Sequence, residues 1–170
     1  MSGLKWMLKF IDDVVHRVGL AFSFLLLPLM IITTIEVIAR YIFNRPTIWA
    51  WDINMQIFSA LVAIGGSYAL RHDMHVKVDI FVMNLRPRHR ALLDLITSIL
   101  FFFTMVVFLY QSSRAAIESI RMREVMSTVW APPFYHIMIL IPIGAFLFLL
   151  QGIAIHIRNL LIVIQKEGKE

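Results

Sequence analysis

The chain contains no cysteine. That excludes a disulfide framework, thiolate-ligated zinc, iron–sulfur clusters and thiol catalysis. Charge is scarce as well: 16% of the 170 residues are Asp, Glu, Lys or Arg, against about a quarter in average soluble domains. Hydrophobic residues make up 59%, the mean hydropathy is +0.78, and the apolar residues fall in long blocks. A soluble globular domain and a disordered chain are both excluded. The blocks lack the two-residue alternation of half-buried strands. No nucleophile elbow or phosphate loop occurs, so the chain does not read as an enzyme. The basic residues are scattered rather than gathered in one stripe, which argues against a nucleic-acid partner.

Four blocks are long enough to cross a hydrocarbon core, which takes about 20 helical residues. Val18–Ile35, Ile53–Leu70 and Leu95–Ser113 carry no formal charge, and a fourth block lies within Val125–Ile157. Pro132 and Pro133 start the last helix near Phe134, because proline suits a first helical turn. The expected fold is an all-α integral membrane protein with four spans, over residues 18–39, 53–70, 89–116 and 134–157, and a tail over 158–170. The first block exceeds a signal-peptide core and no small-residue cleavage site follows it, so it is read as a retained span.

Leu4, Leu8, Ile11, Val15 and Val18 recur at helical spacing. Residues 4–17 therefore form either an interfacial helix or the leading end of the first span. Residues 76–85 are apolar but too short to span, and read as a second interfacial segment. With four spans, eleven Lys and Arg fall on the side of the termini and the second loop, and five on the other. The positive-inside rule places both termini in the cytoplasm. Trp6, Tyr41, Trp49, Trp51, Trp130 and Tyr135 stand near span ends, where rings with one apolar and one wet edge anchor at headgroup depth.

Ionisable groups within a membrane are candidates for function, but the span centres carry none. Glu36 and Arg40, four apart with the acid first, suit either a local ion pair or a substrate or proton site. His136 and His156 bracket the last span, about 30 Å apart along a helix, so no histidine pair at one depth offers haem ligation. Small residues are more informative. Ser59, Ala63 and Gly66 in the second span, and Gly144 and Gly152 in the fourth, form stripes that let helices approach closely. The neighbour is either another helix of this chain or a partner subunit.

Several segments together bear a family resemblance. Loop 1 runs Arg40-Tyr41-Ile42-Phe43-Asn44-Arg45-Pro46 and then Trp49-Ala50-Trp51-Asp52. The second span ends Gly65-Gly66-Ser67-Tyr68-Ala69-Leu70-Arg71, followed by His75-Val76-Lys77-Val78-Asp79. Pro142-Ile143-Gly144 lies in the fourth span. In order, length and topology this resembles the small membrane subunit, DctQ-like, of tripartite ATP-independent periplasmic (TRAP) transporters, from about Val18 to Ile157. One departure is that Trp51-Asp52 stands where family members often carry glutamate.

The resemblance implies a bacterial inner-membrane protein working with a large multi-span permease subunit and a periplasmic substrate-binding protein. Uptake of an organic acid, a carboxylate or small sulfonate, would be sodium-driven. The large subunit would move like an elevator and hold the sodium; no cofactor is implied for this chain. On that footing Ser59, Ala63, Gly66, Gly144 and Gly152 are expected to serve scaffold packing or large-subunit contact. Glu36, Arg40, Trp49 and Asp52 are expected to brace the outer end, and Arg45, Asp52, Arg121, Arg123 and Glu124 to dock the binding protein. Two other functions compete: a membrane anchor of a redox enzyme and a small homodimeric exporter.

Overall fold

A computed structural model of the chain describes residues 2–72 and 87–167, with side chains over 3–72, 97–158 and 160. It forms helices α1 (Ser2–Ser23), α2 (Leu26–Tyr41), α3 (Ala50–Arg71), α4 (Pro87–Met122) and α5 (Tyr135–Glu167). Stretches long and apolar enough to span a bilayer are Gly3–Tyr41, Ala50–Arg71, Thr97–Met122 and Tyr135–Arg158. Among the described residues the class is therefore all-helical with four candidate spans, as expected from the sequence. The segment 76–85 lies outside the described residues.

The first apolar block is not one straight helix. α1 stops at Ser23 and α2 resumes at Leu26. Pro28 accounts for the break, since it has no N–H for the Phe24 carbonyl and its ring crowds that carbonyl. The carbonyl takes the Leu27 N–H instead, at 3.2 Å, and Leu25 N–H bonds to Phe22 at 2.9 Å. Residues 18–39 thus comprise the end of α1, an elbow and most of α2. Pro142, by contrast, lies inside a continuous α5.

α5 sits between α3 and α4, α2 lies along the far side of α3, and α1 packs on both α3 and α5. Contacts along α1 show how it lies. The Leu8 carbonyl accepts from Arg158 of α5 at 3.4 Å. Two turns on, Val15 is buried with Ile64 of α3 and Leu147 of α5, with Ile11, Val14, Val18 and Phe22 around them. Further on, Gly19 backs onto the Tyr68 ring of α3, leaving no room for a methyl. α1 therefore crosses from α5 to α3 as a strap near the end of the bundle where both helices finish. We call this the tail end, and the opposite end, with the α2–α3 and α4–α5 connections, the loop end.

Candidate functional site

The loop end is held by two similar tethers. In the α2–α3 connection, Thr47 Oγ1 donates to Glu36 Oε2 at 2.5 Å and accepts the Ala50 N–H at 3.3 Å. The Thr47 N–H adds a bond to the same carboxylate oxygen at 3.1 Å. The other oxygen, Glu36 Oε1, takes Arg40 Nε at 3.0 Å and Nη2 at 2.6 Å. In the α4–α5 connection, Thr128 Oγ1 donates to Asp52 Oδ2 at 2.6 Å and accepts the Ala131 N–H at 3.2 Å. Each threonine thus ties its own turn, three residues on, to a carboxylate on a helix.

Local sequence makes these geometries possible. Asn44, at φ 51°, takes the left-handed conformation that asparagine tolerates, which lets the Arg45 N–H close the end of α2 on the Ala39 carbonyl at 2.9 Å. Trp49 occupies the N-cap position of α3, so Asp52 falls in its first turn, where the helix dipole favours an anion. The α4–α5 connection folds back on itself through Met126 N–H to Pro132 O and Phe134 N–H to Glu124 O, both 2.9 Å. Gln56 of α3 joins it to α5, contacting the Pro133 carbonyl at 3.3 Å and His136 Nε2 at 3.0 Å.

Asp52 needs a correction. Its carboxylate is only 1% exposed and bonded to Thr128, so it cannot present charge to a soluble partner and belongs to the brace alone. Arg45, Arg121, Arg123 and Glu124 are exposed at the loop end. Glu36 and Arg40 form the ion pair that their spacing suggests. Trp49 is half-buried. Of the aromatic anchors, Trp6, Tyr41, Trp51 and Trp130 are exposed and Tyr135 is half-buried.

The small residues are largely used inside the chain. α3 and α5 cross at Gly144, where a Cβ would overlap the Ala63 carbonyl. Gly152 lies against the Phe101 ring of α4, and a methyl added at Gly66 would reach Phe148 at an ordinary contact distance of 3.5 Å. Ser59 is half-buried on α3. Gly65 faces open space and is not part of this packing.

A third polar cluster lies under the strap. Asp12 of α1 pairs with Arg158 of α5, and the Gln151 amide donates to the second carboxylate oxygen at 3.1 Å. Gln151 is fully buried. Sequence reasoning missed this clamp because its members lie over a hundred residues apart. It missed Thr47 and Thr128 for a different reason: a serine or threonine three residues before a free N–H is a recognisable local signal, but its carboxylate partner is on another element. Among the described residues no cluster of His, Asp and Glu has the arrangement of a metal site.

Two consequences can be measured. Thr128→Val strands a buried carboxylate and is expected to cost about 1–3 kcal/mol, seen as a lower thermal midpoint of the purified protein, with Thr128→Ser restoring most of it. Glu36→Gln keeps an acceptor for Thr47 and loses only the ion pair with a half-exposed arginine. The thermal midpoint is expected to stay close to that of the unmodified chain, with transport by the assembled system retained; loss of ion coupling would show that Glu36 has a transport role.

These features describe an integral membrane protein in which Glu36, Asp52 and Asp12 are each spent on holding its elements together. Residues 29–161 match the family described as tripartite ATP-independent periplasmic transporters, DctQ component. The chain belongs to that family. That family is a component of membrane transporters and not of enzymes, which sets aside the redox-anchor and exporter alternatives. A stretch of 74 residues, 44% of this chain, is 28% identical to the C4-dicarboxylate TRAP transporter small permease protein DctQ of Vibrio cholerae. That match spans 32% of the relative's own length.

Proposed function

We propose that this chain is the stationary scaffold of a sodium-driven uptake system for an organic acid. It holds a large elevator-type permease subunit at a fixed level in the bilayer and helps dock a periplasmic substrate-binding protein. Both termini face the cytoplasm, the loop end faces the periplasm, and sodium and substrate are bound by the partners, with no cofactor in this chain. The observation that carries the proposal is the bracing itself. Glu36, Asp52 and Asp12 each have an internal partner on a neighbouring turn or helix, leaving no carboxylate among these three to load and release a cation. A subunit that must not move gains from a transverse strap, because tilting or sliding would drag the charged side of α1 into hydrocarbon. Carboxylate cargo is supported by the C4-dicarboxylate in the name of the Vibrio cholerae relative.

Exposed Arg45, Arg121, Arg123 and Glu124 are the groups we assign to docking, where charges at an interface rim act on encounter rate and salt dependence. The test is uptake by proteoliposomes containing the large subunit with or without this chain, plus the binding protein. Uptake should require both membrane subunits and a sodium gradient, and proceed without ATP. Uptake by this chain alone would contradict the scaffold role.

A further inference from the structure

α4 carries a face unlike the other exposed surfaces of the bundle. Leu100, Thr104, Val107, Gln111, Arg114 and Glu118 recur at alternating spacings of four and three, and all are exposed. By comparison, the exposed residues of α2 and α3 include Leu27, Met30, Ile31, Phe58 and Val62, which suit acyl chains.

The depth of this face follows from the register of α4 on α5. Ser98 lies opposite His156, at 3.2 Å, and Phe101 packs on Gly152 and Phe148. At 1.5 Å per residue, Arg114 stands about 24 Å along α4 from Ser98, whereas Tyr135 stands about 32 Å along antiparallel α5 from His156. Arg114 is therefore about 8 Å, and Gln111 about 12 Å, inside the level at which α5 enters the membrane. Nor does Arg114 reach out to the headgroups. Its guanidinium lies 5.9 Å from the Tyr110 ring centroid, one turn back toward the middle of the span. Among the described residues no carboxylate pairs with Arg114, Glu118 included. Glu118, about 30 Å along from Ser98, stands almost level with Tyr135, but an arginine and a glutamine facing lipid at the greater depth are costly, and such groups normally face protein.

We propose that the Gln111–Arg114–Glu118 face of α4 is the contact surface for the large permease subunit, and that a span of that subunit presents a carboxylate level with Arg114. This rests on the small-permease role proposed above. Acyl chains offer no acceptor, and headgroup phosphate lies on the side away from which the guanidinium points. Both considerations favour a protein occupant with the complementary charge.

The absence of cysteine makes a direct test possible. Gln111→Cys is labelled with a photoactivatable benzophenone maleimide and irradiated in native membranes containing the assembled transporter. The expected product is a covalent adduct with the large subunit. In parallel, Arg114→Leu should lower recovery of the large subunit with this chain at least tenfold at unchanged membrane abundance, and Arg114→Lys should partly restore it. Adducts with lipid alone or with a second copy of this chain, or unchanged recovery with Arg114→Leu, would overturn the inference while leaving the small-permease role intact. Failure of the unmodified chain to bring down any large subunit would overturn both.

Discussion

Gly144→Val is expected to separate α3 from α5 and collapse the level of folded protein in the membrane. The first carbon added at this position already overlaps the Ala63 carbonyl, and a backbone cannot swing aside as a side chain can. Hydrophobic burial offers no compensation in lipid, where acyl chains are as apolar as the helix faces. Association there depends on close van der Waals fit and interhelical hydrogen bonds. Overpacking of this kind costs about 1–3 kcal/mol or more, and the same two helices also carry the Gln56–His136 contact and the platform for α1. Gly152→Ala should be milder, because its neighbour is the Phe101 ring, which can rotate. Gly65→Ala should be neutral or gain up to about 1 kcal/mol from helix propensity, since its Cβ would meet nothing within 4 Å. The order of thermal midpoints in detergent, Gly65→Ala at or above the unmodified chain, then Gly152→Ala, then Gly144→Val, checks this crossing.

Arg158→Leu should release the strap. It leaves Asp12 with the Gln151 amide as its remaining side-chain partner, in a position where the carboxylate side chain is 18% exposed. An under-partnered buried polar group costs about 1–3 kcal/mol. The asymmetry is the useful signature: removing both charges, with Asp12→Leu added to Arg158→Leu, should recover part of the loss, because no charge is then stranded. Limited proteolysis reads the strap directly. Cleavage near α1 should rise in the single variant and fall back in the double one. Equal or additive losses would mean that the Asp12–Arg158 pair does not hold α1 down.

Much of the architecture could be read from the order of residues, because a bilayer imposes a length and a polarity on every crossing segment. The gaps between formal charges pointed to four crossing helices, the number found among the described residues, and Pro132-Pro133 stand just ahead of α5. The elbow at Phe24 was implicit in Pro28, although an uncharged block from Val18 to Ile35 suggests one continuous helix. The Glu36–Arg40 pair was legible as a four-residue spacing. What could not be read was distance across the chain. Asp52 carries the same formal charge as Glu124, and only the fold buries one under Thr128 and leaves the other in the open. The clamp of Asp12, Gln151 and Arg158 joins the two ends of the sequence. Likewise, the uncharged block Leu95–Ser113 puts Arg114 only at the very edge of the span expected over 89–116. The register of α4 against α5 places it within.

The most direct test of the scaffold role is to purify this chain, tagged at its C-terminus, from native membranes in mild detergent and to identify what accompanies it. The expected result is a stoichiometric complex with one larger, many-span membrane protein. Recovery of this chain alone or only as a homo-oligomer, under conditions in which it stays folded and the larger protein is present in the membrane, would contradict it.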